Sequence, residues 1–316
     1  FQEERRDSIS DGGWYDFQDA IAKDGWSPVN LRRFRSLAAP LLSRDTFIRT
    51  AGVAPPKGGW NDVSLPNVAA FEVKFTDMHD IDVDVPEDIL PSVLSALVEN
   101  LKQASGMLAD LETTYFKSPT CYPNRLVDGD EHTRKTSQIV KWFLNLFQRQ
   151  VECNADIARN LAAIWPISDR YFFRKLKLFV LNNADLFTPT DAFNGVMALD
   201  RDAFWDTEST RELLFLISDR WDDFSDAERT ALGDRLLSGP EQMSHWSDEK
   251  YPSIRDEYAA RVTRWITLQS NVLGKDQNKR LDAMLASIPN WNDGWATSYL
   301  TLNGLNMYGV GTDKTP

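Results

Sequence analysis

Carboxylates beside tryptophans are the residues of this sequence with the clearest potential for chemistry. The candidate acids are Asp222 and Asp223, which follow Trp221, and Asp293, which lies between Trp291 and Trp295. A glycosidase uses two carboxyl groups across one glycosidic bond, and tryptophans can form a platform for the sugar. Helix capping and packing also place acids beside aromatic residues at helix ends. We therefore predict no catalytic residue, and keep as the alternative function a helical-toroid carbohydrate-active enzyme with an acidic, Trp-lined cleft.

Two other patterns suggest chemistry, but each lacks a required part. Alternate acids in 79–84 (HDIDVD) would project to one side of an extended chain, yet the glycine and bidentate glutamate of an EF-hand calcium loop are not placed here. Cys121 stands in a loop, and no histidine near it in sequence would stabilise a thiolate. We interpret the first as the approach to a helix at Pro86 and the second as an inert thiol. No cofactor and no metal site are predicted.

The elements that would position such residues are two consecutive helical hairpins within 174–240. The stretch 178–192 (LFVLNNADLFTPTDA) aligns with 214–228 (LFLISDRWDDFSDAE) when one residue is inserted near Trp221. Each copy reads as an apolar helix, an acidic break, an aromatic residue and a second helix. A period of roughly 36 residues is typical of stacked helix pairs, in which each pair buries its apolar face against its neighbours.

Both copies predict the same kind of helix start. Thr188 can cap the second helix of the first copy, with Pro189 at the first helical position and Asp191 three residues after the cap. Ser225 and Glu228 form the corresponding S-x-x-E capping box in the second copy.

Apolar residues at helical spacing predict further helices along the chain. In order, these are two short helices within 1–50, then 86–115, 136–165, one opening at 168–171, 252–269, and a short one around Leu281. Prolines and glycines punctuate 51–66, which indicates a connector. The alternation in 69–75 (AAFEVKF) is compatible with a short strand or a helix start.

The predicted fold is all-α, with stacked helical hairpins in an α-solenoid-like array, irregular loops and at most a short strand. We expect three segments. An N-terminal helical segment with its connector covers 1–66, and a helical block covers 67–166. The helical-hairpin repeat region with a Gly- and Asn-rich tail covers 167–316.

The composition is typical of a folded, soluble protein of the cytoplasm. The 316 residues are 42% hydrophobic and 26% charged, and the net charge of −12 disfavours nucleic acid as a partner. The basic run 174–177 (RKLK) is interleaved with leucine, which predicts a solvated stripe on a helix. No apolar run reaches the ~20 residues that span a bilayer, and two cysteines indicate a reducing compartment. The start at Phe1 suggests a fragment of a longer protein.

Several motifs follow one another in the second half of the chain: RWDDF (220–224), RLLSGPEQ (235–242), RWITL (264–268), IPNW (288–291) and VGTDKTP (310–316). In this order they resemble the helical C-terminal region of very large bacterial proteins, several of them sirtuin-like proteins associated with antiphage defence. The resemblance covers roughly 178–316. It implies a helical array, following an NAD-directed enzymatic domain, that senses a phage product or mediates assembly. None of that domain's nucleotide-binding residues is present, so no catalytic residue is carried over.

The resemblance and the hairpin pattern together move the expected function from catalysis to recognition. We expect a non-catalytic scaffold and protein-recognition segment, with a protein partner, the remainder of the same polypeptide, or both. Nucleic acid and membrane are not expected partners, whereas an oligomer is compatible with the sequence. The residues expected to form partner-facing ridges lie at the hairpin turns: Trp221, Asp222, Asp223, Asp185 and Leu186.

Overall fold

The computed structural model describes residues 3–44, 71–76, 83–113, 116, 118–122 and 134–297. These residues form α-helices, one short 3-10 turn and a two-stranded sheet, so the fold is all-α as the sequence predicts. They fall into two compact units: Phe1–Pro119 with Asp130–Ala163, and Thr120–Gly129 with Ile164–Pro316. The predicted segments 1–66 and 67–166 both contribute to the first unit, and 167–316 lies in the second.

The first unit is built around one buried helix, α3. Its elements in chain order are α1 (Glu3–Asp24), α2 (Pro28–Leu37), β1 (Leu41–Arg44), β2 (Phe71–Lys74), α3 (Leu90–Asp110), α4 (Arg134–Cys153) and α5 (Ala155–Ala163). Buried leucines at helical spacing, among them Leu94, Leu97 and Leu101, run along α3. Helices α2, α4 and α5 and strand β2 all contact it, so α3 lies at the centre of the core of this unit.

Aromatic rings join the first two helices of this unit to the rest of its core. Phe34 of α2 is fully buried, and its ring lies 6.2 Å from Trp14 and 5.7 Å from Trp26, between centroids. On α4, Trp142 reaches the same ring at 5.6 Å. Edge-to-face contacts of this kind stabilise a core beyond the area that they bury.

Two helices of this unit differ from their predicted bounds. The helix predicted over 86–115 begins at Leu90, because the carbonyl of Pro86 accepts two amides and closes a turn ahead of the helix. The helix predicted over 136–165 is interrupted at Asn154. The Asn154 side-chain oxygen accepts the amide three residues later at 3.1 Å, which is the geometry of an N-cap and starts α5.

Of the two structures that the sequence left open for 69–75, a strand or a helix start, the strand is present as β2, and it has a partner that the sequence did not indicate. Strand β1 pairs with it antiparallel, with Leu42 opposite Val73. The pairing of two four-residue strands is set by contacts between distant parts of the chain, which a short alternating pattern does not reveal.

The second unit consists of helical hairpins that follow one another along the chain. Its elements are α6 (Phe173–Leu181), α7 (Pro189–Met197), α8 (Arg201–Phe204), α9 (Thr210–Asp219), the 3-10 turn Trp221–Asp223, α10 (Asp226–Leu236), α11 (Tyr251–Leu268), α12 (Lys275–Ser287) and α13 (Gly294–Thr297). Helix α9 packs against α6 and α11, and α11 packs against α10 and α12. Contacts between successive hairpins therefore build the core of this unit.

Both predicted capping boxes are confirmed. The Thr188 hydroxyl accepts from the amide of Asp191 at 3.2 Å, and the Asp191 carboxylate accepts from the amide of Thr188 at 3.0 Å. Ser225 and Glu228 make the same reciprocal pair at 3.3 and 2.8 Å. Short-range sequence therefore fixes where α7 and α10 begin.

The basic run 174–177 was predicted to be solvated, and this is wrong for its first two residues. Arg174 and Lys175 are buried, because acids of the next hairpin compensate their charge. Arg174 Nη1 lies 2.7 Å from a carboxylate oxygen of Asp206, and Lys175 Nζ lies 3.9 Å from that of Glu208.

Replacing the second cap tests how much this local signal contributes to stability. Ser225→Ala removes the acceptor for an otherwise unpaired amide, so we expect a loss of about 1 kcal/mol in the free energy of unfolding. Thr230→Ala is the matched control within α10, because its hydroxyl bonds a carbonyl of the preceding turn and caps nothing. Urea unfolding should show a lower midpoint for Ser225→Ala alone. Equal midpoints for the two variants would contradict the capping role.

Candidate functional site

The turns of the first two hairpins lie side by side in the second unit. The Asn182 side-chain amide, at the end of α6, donates to an Asp219 carboxylate oxygen at 2.7 Å. Arg220, which ends α9, donates to the carbonyls of Leu181 at 3.1 Å and Phe187 at 3.2 Å. These bonds hold turn 182–188 against turn 220–225.

The turn of the next hairpin, 269–274, is attached to the same group. The Asn271 amide donates to the Ser218 hydroxyl at 3.0 Å, at the end of α9. Beyond these turns, within the helices themselves, Gln277 of α12 donates to the Thr230 carbonyl of α10 at 2.7 Å. Three successive turns, 182–188, 220–225 and 269–274, are thus neighbours, and we call them the turn edge.

The structure divides the five predicted partner-facing residues into two classes. Trp221 and Leu186 are each only 2% exposed, so the prediction that they face a partner is corrected. Large apolar side chains in a turn pack inward when neighbouring helices offer apolar surface, because burial removes them from water. Asp185, Asp222 and Asp223 are exposed on the turn edge, and their role in binding stays a prediction.

The exposed charged side chains of the turn edge are acidic. Asp223 is paired with Arg220, at 2.5 Å between Oδ2 and Nε, which leaves this carboxylate 44% exposed. Asp222 has neither an ion pair nor a hydrogen bond among the residues that the structure describes. Together with Asp185 and Asp219 these carboxylates give the turn edge a negative potential, which attracts basic surfaces and repels acidic ones.

Behind the turn edge, residues 120–122, which we call the strap, join the first two hairpins. Glu212 of α9 is fully buried, and its Oε1 accepts from the Thr120 hydroxyl at 3.0 Å and the Cys121 amide at 2.9 Å. The Tyr122 ring lies 5.0 Å from each of Phe179 of α6 and Phe215 of α9. The strap is therefore in contact with helices of both hairpins, α6 and α9.

Burial determines the chemistry of the strap's ionisable side chains. Burial, and to a smaller degree the charge of Glu212, raises the pKa of the Cys121 thiol well above its ordinary value. A thiol with a raised pKa stays protonated and is a poor nucleophile, and the inert role of Cys121 stays a prediction. Burial likewise raises the pKa of Tyr122, whose hydroxyl accepts from Asn182 at 2.9 Å.

Glu212 and Arg220 are the important residues that sequence reasoning missed. Both stand in RELLFLISDR (211–220), where charges flank an apolar run on a helix. A charged residue at helical spacing from the buried leucines was the available signal, because a charge on a core face needs a partner. The identity of that partner could not be read from the sequence.

One acid of the enzyme alternative, Asp293, is engaged by an arginine and by a tryptophan. Asp293 accepts from Arg264 Nε at 2.9 Å and Nη2 at 2.5 Å, and from the indole of Trp291 at 3.1 Å. The hydrogen bonds from Arg264 are the main reason why the pKa of Asp293 is lowered. A lowered pKa keeps a carboxylate ionised and opposes the general-acid role of glycoside hydrolysis. Trp221 is buried, so it offers no platform to a sugar.

The described residues contain neither a candidate metal cluster nor a candidate membrane-spanning helix. Among them, no group of three or more histidine, cysteine or acidic side chains is placed to hold a metal ion. Most of the stretch 79–84, where alternate acids occur, lies outside the described residues. No described helix combines the length and the apolar character that crossing a membrane requires.

The strap can be tested through its cysteine. Glu212→Leu removes the acceptor for Thr120 and Cys121, which leaves buried donors unpaired and costs about 2–5 kcal/mol in the free energy of unfolding. We expect alkylation of Cys121 in the folded chain to accelerate at least about tenfold. Cys153 is exposed and serves as the internal reference in the same sample. Glu212→Gln retains an acceptor oxygen and should keep Cys121 protected. Slow alkylation in Glu212→Leu would show that the strap does not depend on this carboxylate.

The Arg264–Asp293 pair predicts a specific dependence of stability on pH. Because folding lowers the pKa of Asp293 below its ordinary 3.8, the ionised carboxylate stabilises the fold fully above that pH. This contribution disappears as the pH falls through the lowered pKa. At neutral pH, Asp293→Asn should lose no more than roughly 1 kcal/mol, since the pair is partly exposed.

Urea unfolding of the wild type and Asp293→Asn between neutral and strongly acidic pH measures this dependence. The difference between the two should shrink on acidification, whereas Asp110→Asn, at an exposed aspartate without a described partner, should show no such trend. A difference that stays constant with pH would mean that the ionised carboxylate does not act in this way.

Comparison of the chain with protein-family models, with curated proteins and with solved structures found no match. The resemblance of 178–316 to the helical region of sirtuin-like antiphage proteins accordingly stays a prediction. The basis for a functional proposal is the geometry of the turn edge, the strap and the charged pairs around them.

Proposed function

We propose that this chain is a non-catalytic helical scaffold that recognises a protein partner along its turn edge, with its hairpins stacked in an α-solenoid-like array. In this proposal it is the sensing or assembly part of a larger cytoplasmic bacterial protein of the antiphage-defence type. The partner is a separate protein with a basic surface or a basic surface of the same polypeptide. Neither nucleic acid nor a membrane is the expected partner.

The observation that carries the proposal is the attachment of three successive turns to one another. The bonds Asn182–Asp219 and Ser218–Asn271 make neighbours of segments that are far apart in sequence. A partner would meet a preformed, continuous surface rather than separate loops, so little ordering would oppose binding. Stacked helix pairs commonly use such extended surfaces for proteins.

The charge of the turn edge supports a basic partner. Asp185, Asp219 and Asp222 present carboxylates there, while the nearby guanidinium of Arg220 is turned inward and only 3% exposed. Complementary charge steers association and sets specificity more than it sets affinity. The binding of such a partner should therefore weaken as the salt concentration rises.

Site-specific crosslinking in the cells that produce the protein tests the proposal. A photo-crosslinking amino acid replaces Ala184 on the turn edge, and in a control experiment Ser95 on α3; both positions are exposed. We expect a crosslinked species of one defined mass from position 184 and none from position 95. Identical products from both positions would argue against a specific edge.

Charge reversal on the turn edge is a second test of the same surface. Asp185→Lys with Asp222→Lys should abolish the crosslink from position 184, because like charges then face the partner. Asp19→Lys with Asp110→Lys makes the same change in net charge at exposed sites of the first unit. A crosslink that survives reversal on the turn edge, or that is lost equally in the control, would contradict the proposed surface.

A further inference from the structure

A cleft with a volume of about 320 Å³ lies in the second unit, at the other ends of the helices from the turn edge. It is lined by the start of α6, by α8 with the turn that follows, and by residues 240–243 after α10. The helices of a hairpin run antiparallel, so the segments that join successive hairpins lie opposite the turns. The cleft is thus separate from the turn edge.

One wall of the cleft is rich in hydrogen-bond donors. Arg174 donates through Nη1 to Asp206 at 2.7 Å, and through Nε and Nη2 to two backbone carbonyls at 3.3 and 3.4 Å. A guanidinium has five N–H groups, so donors remain on this side chain. Trp205 is only 9% exposed, and its indole N–H has no acceptor among the described residues. Arg170 adds a second guanidinium to the lining.

Acceptors and an apolar surface complete the lining. Asp202 is exposed and makes no hydrogen bond or ion pair within the described chain. Glu241 pairs with Arg201 at 3.3 Å, and its side chain remains 58% exposed. Pro240 and Met243 contribute apolar surface between these charged groups.

We propose that this cleft binds a small zwitterion of the α-amino-acid class with an apolar side chain. The ligand carboxylate would accept from the Trp205 indole and the arginine donors, and the ammonium group would bind Asp202. The volume is at the low end for small-molecule sites, which suits a ligand of this size. Glu241 is neutralised by Arg201, and the other charged residues of the lining are two arginines, Arg170 and Arg174, and two aspartates, Asp202 and Asp206, whose charges balance. A balanced lining selects against ligands with a single charge.

The proposal does not rest on the turn edge as a partner surface, and either can fail without the other. The experiment uses ligand-observed NMR titration of the full chain with three probes. L-Leucine carries both charged groups, 4-methylpentanoate lacks the ammonium group, and 3-methylbutylamine lacks the carboxylate. We expect saturable binding of L-leucine, with each analogue weaker by about tenfold or more, since each loses a charge-assisted hydrogen bond.

Two near-isosteric variants locate the site. Asp202→Asn should lower the affinity for L-leucine by about tenfold. It should leave the affinity for 4-methylpentanoate unchanged, because that probe has no ammonium group for Asp202 to bind. Trp205→Phe removes the N–H donor and should lower the affinity for L-leucine and for 4-methylpentanoate to the same degree. Asp110→Asn is the control at an exposed aspartate of the first unit and should change nothing. Thermal unfolding of each variant confirms that it is folded.

Three results would overturn the proposal. The first is the absence of saturable L-leucine binding up to about 20 mM, which is weaker than any useful small-ligand affinity. The second is equal affinity for the zwitterion and the two singly charged analogues. The third is unchanged L-leucine affinity in Asp202→Asn, because the ammonium group would then bind elsewhere.

Discussion

Helix α9 carries a buried charge at each end, and the packing of the second unit depends on both. Glu212 stands near its start and is fully buried, whereas Arg220 ends it and is 3% exposed. A buried ion is tolerated only where hydrogen bonds replace its lost hydration. The strap supplies two such hydrogen bonds to Oε1 of Glu212, and the preceding hairpin supplies them to Arg220. Helix α9 can therefore reach its position only together with these two partners, which makes the folding of this unit cooperative.

Arginine side chains also donate hydrogen bonds to backbone carbonyls where other hairpins meet. Arg235 of α10 donates to the carbonyls of Val196 and Met197, each at 3.0 Å, at the end of α7. Arg201 in turn donates to the carbonyl of Gly239, beyond the end of α10, at 3.1 Å. The last carbonyls of a helix lack partners within it and carry partial negative charge, so a guanidinium satisfies both the hydrogen bonds and the electrostatics. Each arginine joins one hairpin to the next at low cost in backbone ordering.

These links explain why the acidic residues of the turns are available at the surface. Two arginines of the hairpins are buried, Arg174 on Asp206 and Arg220 on backbone carbonyls, while Asp185 and Asp222 remain exposed. At the turn edge, the inward position of Arg220 leaves the exposed charged residues acidic. The acidic turn edge and the cleft with its charged lining lie at opposite ends of these helices.

The sequence by itself determined the helical class and the starts of α7 and α10. Capping, turn formation and apolar periodicity depend on residues within a few positions of one another. It did not determine that Trp221 and Leu186 lie inside, that Arg174 and Lys175 are buried, or that β1 pairs with β2. Such outcomes depend on partners dozens of positions away in the sequence. The burial of Arg174 depends on Asp206, and the burial of Glu212 depends on the strap. Only the tertiary structure decides which charge is compensated and which remains for a ligand, because compensation is a matter of distance in space.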